Sequence, residues 1–453
     1  MCEMWYAKWR QLWEVVRMER MAMAALQEWK NKPGHKPLVI RGARQVGKTW
    51  LMKAFGAAAY EQVVYVNFDH NVQMQALFEE GLDVERLLLG LELYAGHKID
   101  AATTLLIFDE VQEVPAALSS LKYFNENAPQ YDILCAGSLL GVALHEGTSF
   151  PVGKVEFLDL GPMSFKEFLL AMGKKPFVQV LERGDFAMAN TFKQDYETLL
   201  KQYYYVGGMP EVVQAFAQRQ DFNEVREIQQ RILLAYEQDF SKHAPYEVVP
   251  RIRMLWQSIP GQLAKENKKF IYGQVRTGAR AKDYELALLW LVDCGLVHKV
   301  HRVSAPRLPL ASYEDLKAFK LYLLDVGLLG CMAGLRQEAL LDGNALFTEF
   351  KGALTEQYVL QQLKTCKGLN VYYWTNDNGT AEIDFLVDDG RTIVPLEVKA
   401  EVNLRAKSLR VYRERFAPTL SIRTSMAAYK EEEWLINLPL WAVDEIGLLL
   451  ERA

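Results

Sequence analysis

Hydrophobic positions along the chain follow two rhythms. Between residues 36 and 160, five short apolar runs, Pro37–Arg41, Gln62–Phe68, Thr103–Phe108, Tyr131–Ala136 and Val155–Leu160, alternate with stretches of helical spacing. Continuous apolar runs of this length suit strands buried on both faces, and their alternation with helices predicts a parallel sheet. Upstream, Trp5, Trp9, Leu12, Trp13, Val16 and Met23 recur at helical spacing with charges between them, so residues 1–32 are expected to form an amphipathic helix packed on the next domain. After Pro162 the pattern becomes helical. Residues 164–240 predict helices interrupted at Gly207-Gly208-Met209-Pro210, with Tyr203-Tyr204-Tyr205 as helix-packing side chains. Residues 241–343 read as short helices followed by two strand-like runs, Leu296–Val303 and Phe319–Leu324, the order of a winged helix. Residues 344–453 return to α/β: a helix over Phe350–Leu363, strands at Val371–Thr375, Glu382–Val387 and Ile393–Val398, a helix over Leu404–Phe416 and a strand at Thr419–Arg423. The turn-forming Asp342-Gly343-Asn344 marks the clearest boundary. The expected class is α/β, with domains at 1–32, 33–163, 164–240, 241–343 and 344–453.

Composition narrows the function classes. The 453 residues are 50% hydrophobic and 24% charged, which excludes a disordered or fibrous chain. Lysines and arginines number 52 against 57 acidic residues, a net charge of −5, so nucleic acid is not bound through the charge of the whole chain, although a local basic face can still bind it. The most apolar stretch, Leu286 to Val297, contains Asp293 and reads as a buried helix rather than a membrane span. The first twenty residues intersperse charges with apolar positions and lack the uncharged core of an export signal. The five cysteines, Cys2, Cys135, Cys294, Cys331 and Cys366, are scattered and odd in number, which argues against a disulfide framework and a zinc site and for a reducing cytoplasm.

The decisive chemistry lies after the first apolar run. Gly42-Ala43-Arg44-Gln45-Val46-Gly47-Lys48-Thr49 has the spacing G-x-x-x-x-G-K-T between a strand and a helix. Its glycines let backbone N–H groups turn inward to cradle phosphates, Lys48 reaches the β/γ-phosphates, and the Thr49 hydroxyl is a Mg²⁺ ligand. Such a loop calls for a second strand ending in a carboxylate. Leu105-Leu106-Ile107-Phe108-Asp109-Glu110 supplies it, with Asp109 for the Mg²⁺ shell and Glu110 to polarise the attacking water. Ser138, just beyond the run Tyr131–Ala136, is the polar group expected beside the γ-phosphate. No Asn/Thr-Lys-x-Asp base-reading motif occurs, so ATP is preferred to GTP.

Taken with RGARQVGKTW at 41–50, LLIFDEVQ at 105–112, LKYFNEN at 121–127, AGSLL at 136–140, PMSFKEF at 162–168, VGGMPEV at 206–212, FKLYLLDVGLL at 319–329 and FKGALTEQ at 350–357, the chain resembles a large group of prokaryotic AAA-type ATPases whose C-terminal region is a domain of unknown function. The resemblance implies an ATPase core, a middle region bearing a winged helix and a nuclease-like C-terminal fold. Many such ATPases supply an arginine to the γ-phosphate. Related sequences often carry Gly-Arg where this chain has Gly153-Lys154, so Lys154 is one candidate finger and Arg280 another.

A second site is expected near the C-terminus. Glu382 and Asp384 share one face of a strand, and Glu397 and Lys399 share one face of the next. Pairing of these strands brings Asp384, Glu397 and Lys399 together in the arrangement of metal-dependent PD-(D/E)xK nucleases, with Glu356 as an additional carboxylate. The helix that follows carries Arg405, Lys407, Arg410, Arg413 and Arg415, a candidate phosphate-facing surface. The expected function is therefore Mg²⁺-dependent ATP hydrolysis whose nucleotide state controls a DNA-associated C-terminal domain. The alternatives are a nuclease gated by ATP and a non-catalytic nucleotide switch. Beyond ATP, the expected partners are DNA, a second copy of the chain or another protein, and no membrane.

Overall fold

The computed structural model describes residues 18–137, 151–265, 268–338, 345–376, 378–402 and 406–452, with backbone alone at 345–349. Ser138, Arg405, the segment Asp342-Gly343-Asn344 and most of the expected N-terminal helix lie outside them. The described chain forms two compact units, one of residues 19–161 with 293–296, the other of residues 162–292 and 297–452.

The first unit is the expected parallel sheet. Helix α1 (Ala22–Asn31) precedes β1 (Leu38–Arg41), α2 (Lys48–Ala59), β2 (Gln62–Asn67), α3 (Val72–Glu79), α4 (Val84–Ala95), β3 (Thr104–Asp109), α5 (Pro115–Asn127), β4 (Asp132–Ala136) and β5 (Glu156–Asp159). The strand order is β2-β3-β4-β1-β5, and all the pairings are parallel. Every residue of β3 is buried, as its unbroken apolar run requires. On one side Phe68, Phe78, Phe108 and Phe124 stack edge to face, with centroids 5.3–6.4 Å apart. Chain direction places the ends of β1, β3 and β4 at one edge of the sheet, the edge where α/β folds build their sites.

The second unit begins with helices α6 (Phe165–Ala171), α7 (Lys175–Glu182), α8 (Phe186–Thr191), α9 (Lys193–Val206), α10 (Pro210–Arg219) and α11 (Phe222–His243). A capping box between Ser164 and Glu167 starts α6. Tyr203 fulfils its packing role: it is fully buried against Phe165, Phe168 and Tyr358, and its hydroxyl donates to the Met163 carbonyl. Then come α12 (Val249–Leu263), α13 (Tyr272–Val275), α14 (Ala281–Asp293) and the antiparallel pair β6 (Val297–Val303) and β7 (Glu314–Leu323). Helix α14 is amphipathic rather than buried all round: Tyr284, Ala287, Leu288 and Leu291 face inward, while Leu286 and Leu289 are exposed.

The remaining elements are α15 (Val326–Met332), α16 (Ala345–Leu363), β8 (Asn370–Thr375), β9 (Glu382–Asp388), β10 (Ile393–Val398), α17 (Lys407–Phe416), β11 (Ile422–Ser425), β12 (Lys430–Glu431), β13 (Ile436–Pro439) and α18 (Ile446–Leu450). The sheet order is β12-β13-β11-β10-β9-β8-β6-β7. The β6–β7 pair therefore extends the C-terminal sheet, joined to β8 at Arg302 and Tyr373, and residues on both sides of the 339–344 segment belong to one unit. Gln357 ties α16 to the end of β7 by bonding both the N–H and the carbonyl of Leu323.

Candidate active site

The loop after β1 owes its shape to two glycines. Gly42 has φ 150°, and a Cβ there would stand 2.1 Å from the Leu160 carbonyl oxygen. Gly47, at φ 93°, caps α2 in the left-handed region that costs other residues more. The first turn of α2 then delivers Lys48 and Thr49 to one point. Lys48 Nζ donates to the carbonyls of Gly42 (2.8 Å) and Ala43 (2.7 Å), within the loop it would serve. Burial pulls its ammonium down to about 8, against the opposite pull of Glu110 and Asp109.

Across the sheet edge, Asp109 ends β3 and is 3% exposed. Its Oδ2 accepts from the Thr49 hydroxyl at 2.7 Å and the Tyr65 hydroxyl at 2.9 Å. Glu110 follows with φ 51°, a strained left-handed conformation for a side chain of this size. This turns Glu110 away from the strand, and Gln112 Nε2 holds its Oε2 at 2.8 Å. The expected loop residues, Thr49, Asp109 and Glu110 therefore gather at one edge. A hydroxyl and a carboxylate oxygen converging at hydrogen-bond distance are the hard oxygen donors that Mg²⁺ takes.

Sequence reasoning missed two supports. Arg20, only 6% exposed, donates from Nη1 to the Val46 carbonyl at 2.7 Å and from Nη2 to the Gly161 carbonyl at 2.8 Å. It thereby pins a carbonyl of the phosphate loop itself. Tyr65 orients Asp109, and Lys53 Nζ lies 3.7 Å from the centre of its ring. Neither residue carries a motif: Arg20 lies far upstream of the loop and Tyr65 sits in an ordinary strand pattern. The candidate fingers are placed otherwise. Lys154 pairs with Glu126 at 2.9 Å, and Arg280 is an exposed residue of the second unit.

The C-terminal residues form a different arrangement. Asp384 Oδ2 accepts from the Val398 N–H at 2.8 Å, which ties β9 to the end of β10. Glu397, 3% exposed, pairs with Lys399 at 2.7 Å. Glu356 is engaged by lysines of the preceding region: Lys268 bonds its Oε1, Lys320 Nζ lies 3.6 Å from its Oε2, and the Tyr322 hydroxyl donates to Oε2 at 3.1 Å. Lys320 also contacts Glu382 and lies 4.0 Å from Asp384. Burial pushes the Asp384 carboxyl upward, and the neighbouring Glu356 adds to the shift. Burial acts the same way on Glu356, but Lys268 and Lys320 outweigh it and hold that carboxyl below the usual range. Among the described residues, no group of three or more His, Cys, Asp or Glu side chains is arranged to hold a metal ion.

Residues 34–169 match the AAA domain family. Residues 197–339 match a domain of unknown function (DUF8612), and residues 351–442 match another (DUF4143). No curated protein matches the chain. Among solved structures, the Walker-type ATPase PABY2304 of Pyrococcus abyssi is 15% identical, covering 70% of this chain and 97% of its own, with a TM-score of 0.44. The ORC1 protein of Aeropyrum pernix, solved with DNA, is 14% identical, covering 73% of this chain and 92% of its own, with a TM-score of 0.27. Cdc6p of Pyrobaculum aerophilum is 13% identical, with coverages of 78% and 94% and a TM-score of 0.25. Scores this low bring no function across. The AAA match runs to residue 169, inside α6, and Arg20 lies upstream of it. Among the described residues, no helix is long and apolar enough to cross a membrane.

Proposed function

We propose that the AAA domain binds ATP and hydrolyses it. The observation that carries this is the convergence of Lys48, Thr49, Asp109 and Glu110 at the edge shared by β1 and β3. Lys48 exchanges the carbonyls of Gly42 and Ala43 for phosphate oxygens, an exchange that favours its charged form. Thr49 and Asp109 would hold Mg²⁺, which when bound neutralises charge on the β- and γ-phosphates. Glu110, kept in place by Gln112, orients the attacking water and accepts its proton. Ser138 is proposed beside the γ-phosphate, and Lys154 and Arg280 remain the candidate fingers.

On this proposal the nucleotide state controls a C-terminal region with a nuclease-like layout and a winged-helix order before it. Nucleic acid is its proposed partner, through the exposed Lys407, Arg410 and Arg413 of α17. The exposed face of α14 offers Lys282, Asp283, Glu285, Leu286 and Leu289, a mixed surface that gives phosphates little to bind.

The test compares ATP binding and turnover in wild type, Lys48→Ala and Glu110→Gln, with and without duplex DNA. Lys48→Ala is expected to lose nucleotide binding. Glu110→Gln is expected to keep binding and lose turnover by about 10²–10⁴-fold, the usual contribution of a positioned base. Stimulation by DNA supports the partner. Wild-type turnover in Glu110→Gln removes its role, and an inactive wild type that still binds ATP favours the non-catalytic switch.

A further inference from the structure

The carboxylates of the C-terminal sheet invite a divalent ion, yet a lysine already stands among them. Lys320 lies on β7, within the region that matches the first domain of unknown function, and its side chain is fully buried. Its Nζ meets three carboxylates: Glu356 Oε2 at 3.6 Å, Glu382 Oε1 in close contact and Asp384 Oδ1 at 4.0 Å. The three acids lie on α16 and β9, within the region that matches the second domain. The Tyr373 ring covers the ammonium, with its centre 5.1 Å away.

The position is built. Strand alternation puts Lys320 and Tyr322 on one face of β7, and both reach Glu356. Lys269 bridges Lys320 as an antiparallel partner, and the Phe270 N–H bonds the Phe319 carbonyl, so neighbouring Lys268 also reaches Glu356. Three acids at one point repel one another and need a cation or a proton between them. Here two ammonium groups meet that need, so the acids are neutralised by the chain itself. With Lys320 among them, these residues do not fit a metal-dependent nuclease centre.

We propose that Lys320 is the resident cation of this carboxylate cluster, standing where a nuclease of this layout would carry its divalent ion, so that the two regions of unknown function meet in an ionic joint rather than in a metal-dependent active site. The carboxylates of 356, 382 and 384 recognise an ammonium of the chain itself. The neighbouring Glu397–Lys399 pair keeps the spacing of a nuclease without the acids free to share an ion with it.

Mn²⁺ titrated into the full chain tests this, with free Mn²⁺ read from its paramagnetic resonance signal. The background carries Asp109→Asn, so that the phosphate-loop site takes no ion. With Lys320 present, no bound Mn²⁺ is expected up to millimolar concentration, and adding Asp384→Asn changes nothing. One Mn²⁺ per chain bound below millimolar concentration and lost with Asp384→Asn overturns the proposal. Lys320→Met keeps a long unbranched side chain, one atom shorter, and removes its charge. Folded protein with this change is expected to gain Mn²⁺ binding by at least tenfold, and a folded variant with no gain shows that Lys320 does not hold a cation's place. Should Lys320→Met fail to fold, the first titration and its Asp384→Asn control decide alone.

Discussion

Both units gather lysines and carboxylates at one point, but they spend these charges differently. In the AAA domain, Lys48 donates to two backbone carbonyls and Asp109 accepts from two hydroxyls. These neutral partners are weak competitors for a phosphate or a metal ion. In the C-terminal unit, Lys320 and Lys268 are engaged by the carboxylates themselves. Counting ionisable residues does not separate these cases: the first site is prepared for a ligand, and the second has supplied its own.

The largest expected effect follows from that contrast. Glu356→Ala leaves two buried ammonium groups short of a partner, and breaking a buried pair from one side costs about 3–5 kcal/mol. Asp109→Asn keeps an oxygen acceptor for Thr49 and Tyr65 and should cost about 1 kcal/mol or less. Chemical denaturation of the two full-length variants compares them directly, and equal losses would break the comparison. Acid supplies the same test without mutation. Burial pushes the Glu356 carboxyl up, but Lys268 and Lys320 prevail and hold it low. Its contribution is therefore complete above the ordinary carboxylate range and is lost as pH falls through the depressed folded value.

A smaller effect concerns Lys48. Burial lowers its ammonium to about 8 in the free protein, and a bound phosphate favours the charged form. Above pH 8, ATP binding must therefore take up a proton, and the dissociation constant should rise by up to about tenfold per pH unit; below pH 7 it should be flat. Titrations with ATP from about pH 6.5 to 9.5 check this. A flat profile throughout would mean that Glu110 and Asp109 keep Lys48 charged despite burial.

The sequence exposed what depends on local spacing. All five strands of the first sheet, the loop from Gly42 to Thr49 and the Asp109-Glu110 pair follow from runs and motifs a few residues long, and the structure has them within a residue or two at each end. Long-range packing was less legible. That β6 and β7 extend the C-terminal sheet depends on Arg302 meeting Tyr373, 71 positions away by subtraction, and no local pattern records it. Asp384 and Glu397 were readable as strand residues of matching parity. The lysines that meet Asp384 and Glu356 were not, because Lys320 and Lys268 come from another region: Lys320 is a single charge in an apolar run, Lys268 one of a polar stretch, and neither pattern carries a signal. Strands β12 and β13 were missed because a strand of two residues and one ending in Pro439 have little periodicity.

Arg20 offers the finest test of how the phosphate loop is kept ready. Its guanidinium holds the carbonyls of Val46 and Gly161 with two separate N–H groups, so one side chain fixes the loop and the segment after β5 together. With Val46 oxygen held by Arg20, the N–H groups of the loop can turn toward a phosphate. Arg20→Lys keeps the charge but concentrates the donors on one nitrogen, which cannot span both carbonyls as the planar fork does. Charge-assisted bonds of this kind are worth about 1.5–3 kcal/mol each in stability, but only a fraction of that should reach the nucleotide, since bound phosphate itself orders the loop. The expected outcome for Arg20→Lys is therefore a rise of about threefold in KM for ATP with kcat unchanged at saturation, and for Arg20→Ala a somewhat larger rise in the same direction. A lower melting temperature with KM unmoved would make Arg20 a brace for the fold alone. A fall in kcat at saturating ATP would place its influence on Glu110 rather than on the loop.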